Sequence, residues 1–444
     1  MGGSSGKVLF NSVWVIVQHL YSMLTSLILV ALIARHLGPS DYGLINYCAS
    51  LISMFTTLCG LGLDNLIVSE IIRRPEKEGG FLGTALVMRL AVSLISYPVI
   101  LILVSVITPG NHTLLAVAAL QALGMVFQTY EVFVYWFRIK LKMKYISIAL
   151  VCAITINSVF RIILLARKAT VEWFAFSISL QALAAGIIIT VFFIKKSDVR
   201  LKASWADAAA LIKNSYNFII SSMAIIIYME VDKIILEKMT GSASVGIYSA
   251  AVVLATCWEF IPVALIDSSR PVILEKRKVS HEEYMDLFKI VMGGVNLMAF
   301  VFALIMSGLG WIFIWFLYGG AFMEAFVPLI ILSWSSFIGI SGYTRTIWIT
   351  GEGFYKYEKR YAVTAMFLNI LLDVLLIRLF GIIGAAVATL ITYVYEVLIV
   401  PLFFRETRAF TAMYFQSFRM IPEFTSESVK MLRSKLARKQ QERD

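Results

Sequence analysis

The chain has 444 residues, 59% of them apolar and 15% charged, against roughly 45–50% and about 25% in soluble globular proteins. With a mean hydropathy of +0.83, this excludes a water-soluble fold and leaves little mass outside a bilayer. The net charge of +11 would raise nucleic acid as a partner in a soluble chain, but here the basic residues flank apolar runs and read as an orientation signal.

A bilayer core about 30 Å thick takes roughly 20 apolar residues per helix, and in lipid only helices and closed barrels satisfy the backbone. Continuous apolar runs, not alternation, dominate, so the spans are helices. After the start MGGSSG, the first apolar run is too long for a cleaved signal peptide and is retained as a span. Twelve spans are predicted, at 8–34, 42–62, 81–106, 114–136, 146–166, 172–194, 214–236, 246–266, 286–307, 326–345, 361–380 and 382–404. Thirty basic residues fall on the side of the termini, five on the opposite side and four within spans. Both termini are therefore expected in the cytoplasm.

The midpoint of this series is the basic loop 195–213, in which Ser204 to Asp207 is expected to cap a short surface helix before Asn214. The predicted organisation is a six-helix lobe at 1–194, a linker at 195–213, a second six-helix lobe at 214–404 and a basic tail at 405–444. A shift of 203 residues lays Asn11-Ser12 on Asn214-Ser215, Ile16 on Ile219, Gly38 on Gly241 and Gly43 on Gly246, with Arg35 on Lys238. Six is even, so both halves enter from the same side. The fold class is all-α and polytopic, two lobes related by a parallel pseudo-two-fold repeat, which suggests alternating access. In the tail, Phe410, Tyr414 and Phe418 at helical spacing among cations read as an interfacial anchor on anionic lipid.

Ionisable groups at membrane depth cost about 2.5 kcal/mol or more each and mark a cavity, a pathway or an ion pair. Asn11, Gln18, Ser22 and Thr25 form a polar stripe on span 1, and Asn214, Ser221, Tyr228 and Asp232 its counterpart on span 7. Both stripes are expected to face a central cleft between the halves, the alternative being that such residues merely glue helices together. The deep cations are Arg89, Arg161 and Lys233, with Asn157 one turn before Arg161. A cationic, hydrated cleft suits an anionic head group, because guanidinium binds phosphate oxygens in a bidentate manner. The alternative is an ion pair for each. The deep acids are Glu131, Glu230, Asp232, Glu259, Asp373 and Glu396; for most of them charge compensation is the expected role, and Asp232, Glu259, Asp373 and Glu396 are the candidates for coupling to Na+ or H+. Lys289 and Arg345 near the cytoplasmic ends read as snorkelling.

The four cysteines lack redox or zinc spacing, and the sequence contains no Gly-x-Ser-x-Gly, His-Glu-x-x-His or P-loop. A transporter, not an enzyme, is expected, with no cofactor and no metal centre beyond a coupling ion.

The stretch Ala34-Arg-His-Leu-Gly-Pro-Ser-Asp-Tyr-Gly43, with Asp232-Lys-Ile-Ile-Leu236 and Gly246-Ile-Tyr-Ser249, resembles the polysaccharide transporter branch of the multidrug/oligosaccharidyl-lipid/polysaccharide flippase superfamily, the Wzx-type O-antigen flippases. The resemblance covers about 8–404. It implies two six-helix lobes in a V, a hydrated cationic cavity, and export of undecaprenyl-diphosphate-linked oligosaccharide across the bacterial inner membrane by alternating access, often ion-coupled. Under it, Arg89, Arg161 and Lys233 hold the diphosphate, while Asn11, Gln18, Asn157, Tyr228 and Glu131 contact glycan or water. Membrane lipids are the surroundings and a polysaccharide polymerase is a candidate partner. Lipid II flippases share the superfamily but usually carry extra C-terminal spans. A multidrug or small-metabolite exporter would need an acid-dominated cavity, and a membrane glycan polymerase or ligase a long external loop, for which 307–326 is the longest candidate.

Overall fold

A computed structural model describes residues 14–426 apart from 64, 65, 214 and 217, its first helix extending back to Gly2. Asn11, Asn214 and the basic stretch 427–444 lie outside the described residues. Helices and short 3-10 or π turns make up the described secondary structure, with no strand among the described residues. The helices are α1 (Gly2–Gly60), α2 (Leu63–Arg73), α3 (Glu78–Ile107), α4 (His112–Phe127), α5 (Glu131–Ile139), α6 (Met143–Ala166), α7 (Val171–Lys196), α8 (Trp205–Thr240), α9 (Ser242–Thr256), α10 (Phe260–Lys276), α11 (His281–Leu317), α12 (Phe326–Glu352), α13 (Tyr355–Val394) and α14 (Ala409–Ser417).

Among the described residues, eight helices are long and apolar enough to cross a bilayer, or nine if α9 and α10, bent by 43°, form one broken span. Two of them are too long for one crossing. At 1.5 Å per residue, the 47 residues Trp14–Gly60 would stretch about 70 Å, over twice the hydrocarbon thickness. Gly38 (φ 75°, ψ 174°) interrupts α1, and Gly381 (φ 57°, ψ −131°) interrupts α13. Only glycine enters such regions without strain. The count of twelve requires dividing α1 and α13 at these glycines and counting α8. The surface suits lipid: Ile95, Ile102, Val106, Leu379 and Phe380 are each at least 60% exposed, a pattern that in water would mark an aggregation patch.

The chain divides into two compact units, one comprising residues up to Ala250 with Trp315–Met323, the other Ala251–Ile314 and the chain from Glu324 onward. In the first unit the 203-residue repeat is visible in the backbone. Gly38 (φ 75°, ψ 174°) and its counterpart Gly241 (φ 88°, ψ 172°) share one conformation. Their neighbours meet reciprocally. A Cβ on Gly43 would strike the Ser242 carbonyl, and a Cβ on Gly246 would strike the Pro39 carbonyl. Since 39 and 242 are also 203 apart, residue i touches j while j touches i, the signature of a two-fold contact. The core of this unit packs Phe133 on Phe193 with centroids 4.4 Å apart and sets Trp136 edge-on to Phe193 at 5.5 Å.

The segment after α7 is docked. Lys202 N donates to the Gly79 carbonyl and Ser204 N to Thr84 Oγ1, and the bare Gly79 and Gly83 make room for this backbone. Ser204 caps the next helix as expected, accepting from Asp207 N at 3.4 Å. That helix is not a short surface piece, however. It runs on unbroken from Trp205 to Thr240, because no glycine or proline in this stretch breaks the helical hydrogen-bond ladder.

In the second unit the described part of the tail departs from the expected interfacial anchor. Phe410 and Tyr414 are fully buried, in one cluster with Tyr284, Phe288, Trp348 and Tyr361. Ser417 Oγ accepts from Asn296 Nδ2 at 3.1 Å, and Ser341 Oγ donates to Asn296 Oδ1 at 2.6 Å. Gly293 and Gly294 leave space on α11 for the Ser417 carbonyl and the Phe424 ring. The aromatic face of α14 therefore covers protein, since three rings bury more apolar area in this socket than a lipid interface would hide.

Candidate functional site

A cavity of about 470 Å³ opens in the first unit among α1, α5, α6 and α7, within the range of about 300–1,000 Å³ common for small-molecule sites. Its lining includes Gln18, His19, Tyr130, Glu131, Tyr135, Arg138 and Ser147. The α4–α5 break at Gln128–Tyr130 starts a new helix at Glu131, which brings Glu131, Tyr135 and Arg138 to the cavity at i, i+4 and i, i+3 spacing.

Arg89, buried on α3, stands behind this wall. Its Nη2 donates to Glu131 Oε2 at 2.6 Å and its Nη1 to Tyr135 Oη at 3.1 Å. The arginine side chain is 5% exposed but the Glu131 side chain 40%, so the pair presents its carboxylate end to the opening. Arg89 acts here by fixing Glu131 and Tyr135, with its charge compensated.

Lys233 is also compensated. Its Nζ donates to Glu230 Oε2 at 2.7 Å, and the same oxygen accepts from Ser50 Oγ at 2.5 Å. Asp232 accepts from Lys233 N at 2.7 Å and from Tyr248 Oη at 2.6 Å. The cluster ties α8 to α1 and α9 in a nearly dry place, since Asp232 and Lys233 are both buried. Tyr228, half-buried on α8, is not among the residues lining the cavity.

Arg161 differs. Its Nε donates to Ser177 Oγ at 2.9 Å, and among the described residues no carboxylate stands within ion-pair distance of it. One turn earlier, Asn157 Nδ2 donates to Gln181 Oε1 at 2.7 Å while the buried Asn157 Oδ1 has no partner. α6 and α7 thus hold a polar ladder whose outermost rung carries an uncompensated charge.

In the second unit, Glu396 Oε1 accepts from Arg345 Nη2 at 2.6 Å, and the Glu396 carbonyl accepts from Arg345 Nη1 at 2.8 Å. Arg345 does not snorkel to the surface. Its guanidinium lies 4.8 Å from the Tyr361 ring centroid and 6.0 Å from that of Phe410, where the carboxylate and aromatic faces replace water. Glu259, at the bend between α9 and α10, accepts from Ser336 Oγ at 2.6 Å. Asp373 is buried one turn after Asn369, whose Nδ2 donates to Thr392 Oγ1 at 3.4 Å. The four cysteines are free, and no His, Cys, Asp and Glu cluster of metal-binding type occurs among the described residues.

The structure therefore brings Gln18 and Glu131 to one cavity, with Arg89 behind it, and leaves Arg161 with Asn157 and Lys233 with Asp232 as separate groups. Sequence reasoning missed Arg138, assigned to the basic loop, and Ser147 and Tyr130, which carry no charge signal. Span 4 is expected unbroken at 114–136, so the break at Gln128–Tyr130 that starts α5 and places these residues at the cavity is a correction that no sequence signal gave.

The model of a family described as polysaccharide biosynthesis protein matches residues 8–275. No curated protein matches the sequence. Among solved structures, the lipid II flippase MurJ in an inward closed conformation superposes with a TM-score of 0.69 at 14% identity, covering 92% of this chain and 90% of that one. An inward-facing multidrug resistance MATE family transporter gives 0.62 at 13%, covering 92% and 95%. A transporter of the same superfamily from Pyrococcus furiosus, described as having a binding pocket of reversed polarity, gives 0.62 at 12%, covering 94% and 96%. At such identities these likenesses establish the fold, and the family match, covering more than half of the sequence, establishes membership: the chain belongs to the polysaccharide biosynthesis protein family and has the multi-pass membrane fold of the MurJ and MATE transporters.

Proposed function

We propose that the chain is a flippase that moves an undecaprenyl-diphosphate-linked oligosaccharide, such as an O-antigen, capsule or exopolysaccharide repeat unit, from the cytoplasmic to the outer leaflet of the bacterial inner membrane by alternating access. The observation that carries this reading is Arg161. Of the three deep cations expected to meet a diphosphate, Arg89 and Lys233 have carboxylates at 2.6 and 2.7 Å, and only Arg161 keeps a guanidinium without one among the described residues. An uncompensated cation at membrane depth is costly unless an anion visits it. Asn157 beside it, with an unused acceptor, suits the hydroxyls of a glycan.

Coupling to Na+ or H+ belongs in this reading to Glu259 and to Asp373 with Asn369 and Thr392. Glu396 has Arg345 as its counter-ion and Asp232 is held by Tyr248 and Lys233, so neither is the first choice. A polysaccharide polymerase on the outer face is the partner this product calls for. A cation exporter is the second reading, favoured by the two acids, Glu230 and Asp232, around the single Lys233.

The test is a vesicle assay with purified protein and fluorescent lipid-linked oligosaccharide. The wild type should flip the probe and Arg161→Gln should flip it at least about tenfold more slowly, the loss expected for one charge-assisted contact. Wild-type vesicles that export organic cations and leave the lipid-linked glycan in place would transfer the assignment to the exporter.

A further inference from the structure

The α1–α5–α6–α7 cavity contains polar groups that the protein leaves unused. Gln18 is nine-tenths buried and lines the cavity, yet its amide makes no hydrogen bond among the described residues. Ser147 also lines it, is 1% exposed and has a hydroxyl with no partner. Buried polar groups are nearly always paired, and leaving one unpaired costs about 1–3 kcal/mol. Of the two, the Ser147 hydroxyl is sealed and unpaired, while the Gln18 amide across from it on α1 is not sealed and is free to meet a guest in the cavity. At the rim, Arg138 and His19 line the same space and have no carboxylate within ion-pair distance among the described residues. Arg138 borders the basic loop, so this rim is the cytoplasmic one in the orientation given by the charge distribution.

We infer that this cavity is a capture subsite for a sugar phosphate: Gln18 and Ser147 bond the sugar hydroxyls while Arg138, with His19, takes the phosphate. Glu131, held in place by Arg89, accepts a hydrogen bond from a further hydroxyl and disfavours a guest with negative charge at the sugar end. The inference rests on the flippase reading, adding where the first sugar and its phosphate dock before translocation.

The test uses the full chain in phosphatidylcholine nanodiscs, with farnesyl diphosphate, its glucose-linked form and glucose 1-phosphate as probes. Arg138→Gln should weaken both prenyl probes about tenfold. Gln18→Met and Ser147→Ala should weaken the glucose-linked probe about tenfold and leave farnesyl diphosphate unchanged, with thermal melts confirming that each variant is folded. Glucose 1-phosphate should compete with the glucose-linked probe but bind more weakly than it. The subsite is overturned if Gln18→Met and Ser147→Ala bind the glucose-linked probe as the wild type does, or lose both prenyl probes alike. It is also overturned if free glucose 1-phosphate binds as tightly as the lipid-linked form, which would make the guest a soluble metabolite. Because flipping by the unaltered chain is measured separately, such a result would remove the subsite without touching the flippase reading.

Discussion

Arg89 and Arg345 make the same bond, guanidinium to carboxylate at 2.6 Å, in two regions with different tasks. Both arginines are dry, at 5% and 6% side-chain exposure, but Glu131 is 40% exposed and Glu396 12%. Around Arg345 the remaining surface is filled by Tyr361 and Phe410, and α14 closes the socket. Around Glu131 there is an open cavity with unpaired Gln18 and Ser147. A buried ion pair therefore says nothing by itself about function. What its acid faces distinguishes a staple from a site wall.

Arg345→Ala should cost the most, about 3–5 kcal/mol, because it strips the buried Glu396 of its guanidinium counter-ion; a melt of the purified protein measures it, and the double change Arg345→Met with Glu396→Leu should recover most of the loss. Phe410→Ala should cost about 3–5 kcal/mol at the upper limit for a buried ring, and a tail that remains protected from protease in that variant would refute its role in the core. Arg89→Ala should cost less than Arg345→Ala, about 1–3 kcal/mol, since the more exposed Glu131 regains water. Equal losses would erase the distinction between staple and wall. Gly246→Ala should cost about 1–3 kcal/mol by forcing α9 away from the Pro39 carbonyl, and Gly43→Ala should match it within about 0.5 kcal/mol if the two-fold contact is symmetric.

Much of this was readable from local pattern. Apolar runs gave the membrane class, Ser204 its cap, and the 203-residue shift located glycines whose backbone angles then agreed. Those features depend on a residue and its near neighbours. Partner choice does not. Arg345 and Glu396 are 51 residues apart, and whether a cation near a span end snorkels or pairs depends on which helix lies alongside. The same holds for the tail. Its aromatic spacing fits a lipid interface and a protein socket equally, and the decisive feature is the bare Gly293–Gly294 surface on α11, more than a hundred residues earlier. Ser147 was invisible because an unpaired hydroxyl has meaning only once the surrounding groups are placed.

The central claim is that Arg161 carries a charge left open for the substrate. Its most direct test is the flipping rate of Arg161→Lys against Arg161→Gln at matched protein per vesicle. Retention of most of the rate by the lysine variant, with a loss of about tenfold or more in the glutamine variant, is the predicted result. Equal rates in the two variants and the wild type would contradict it.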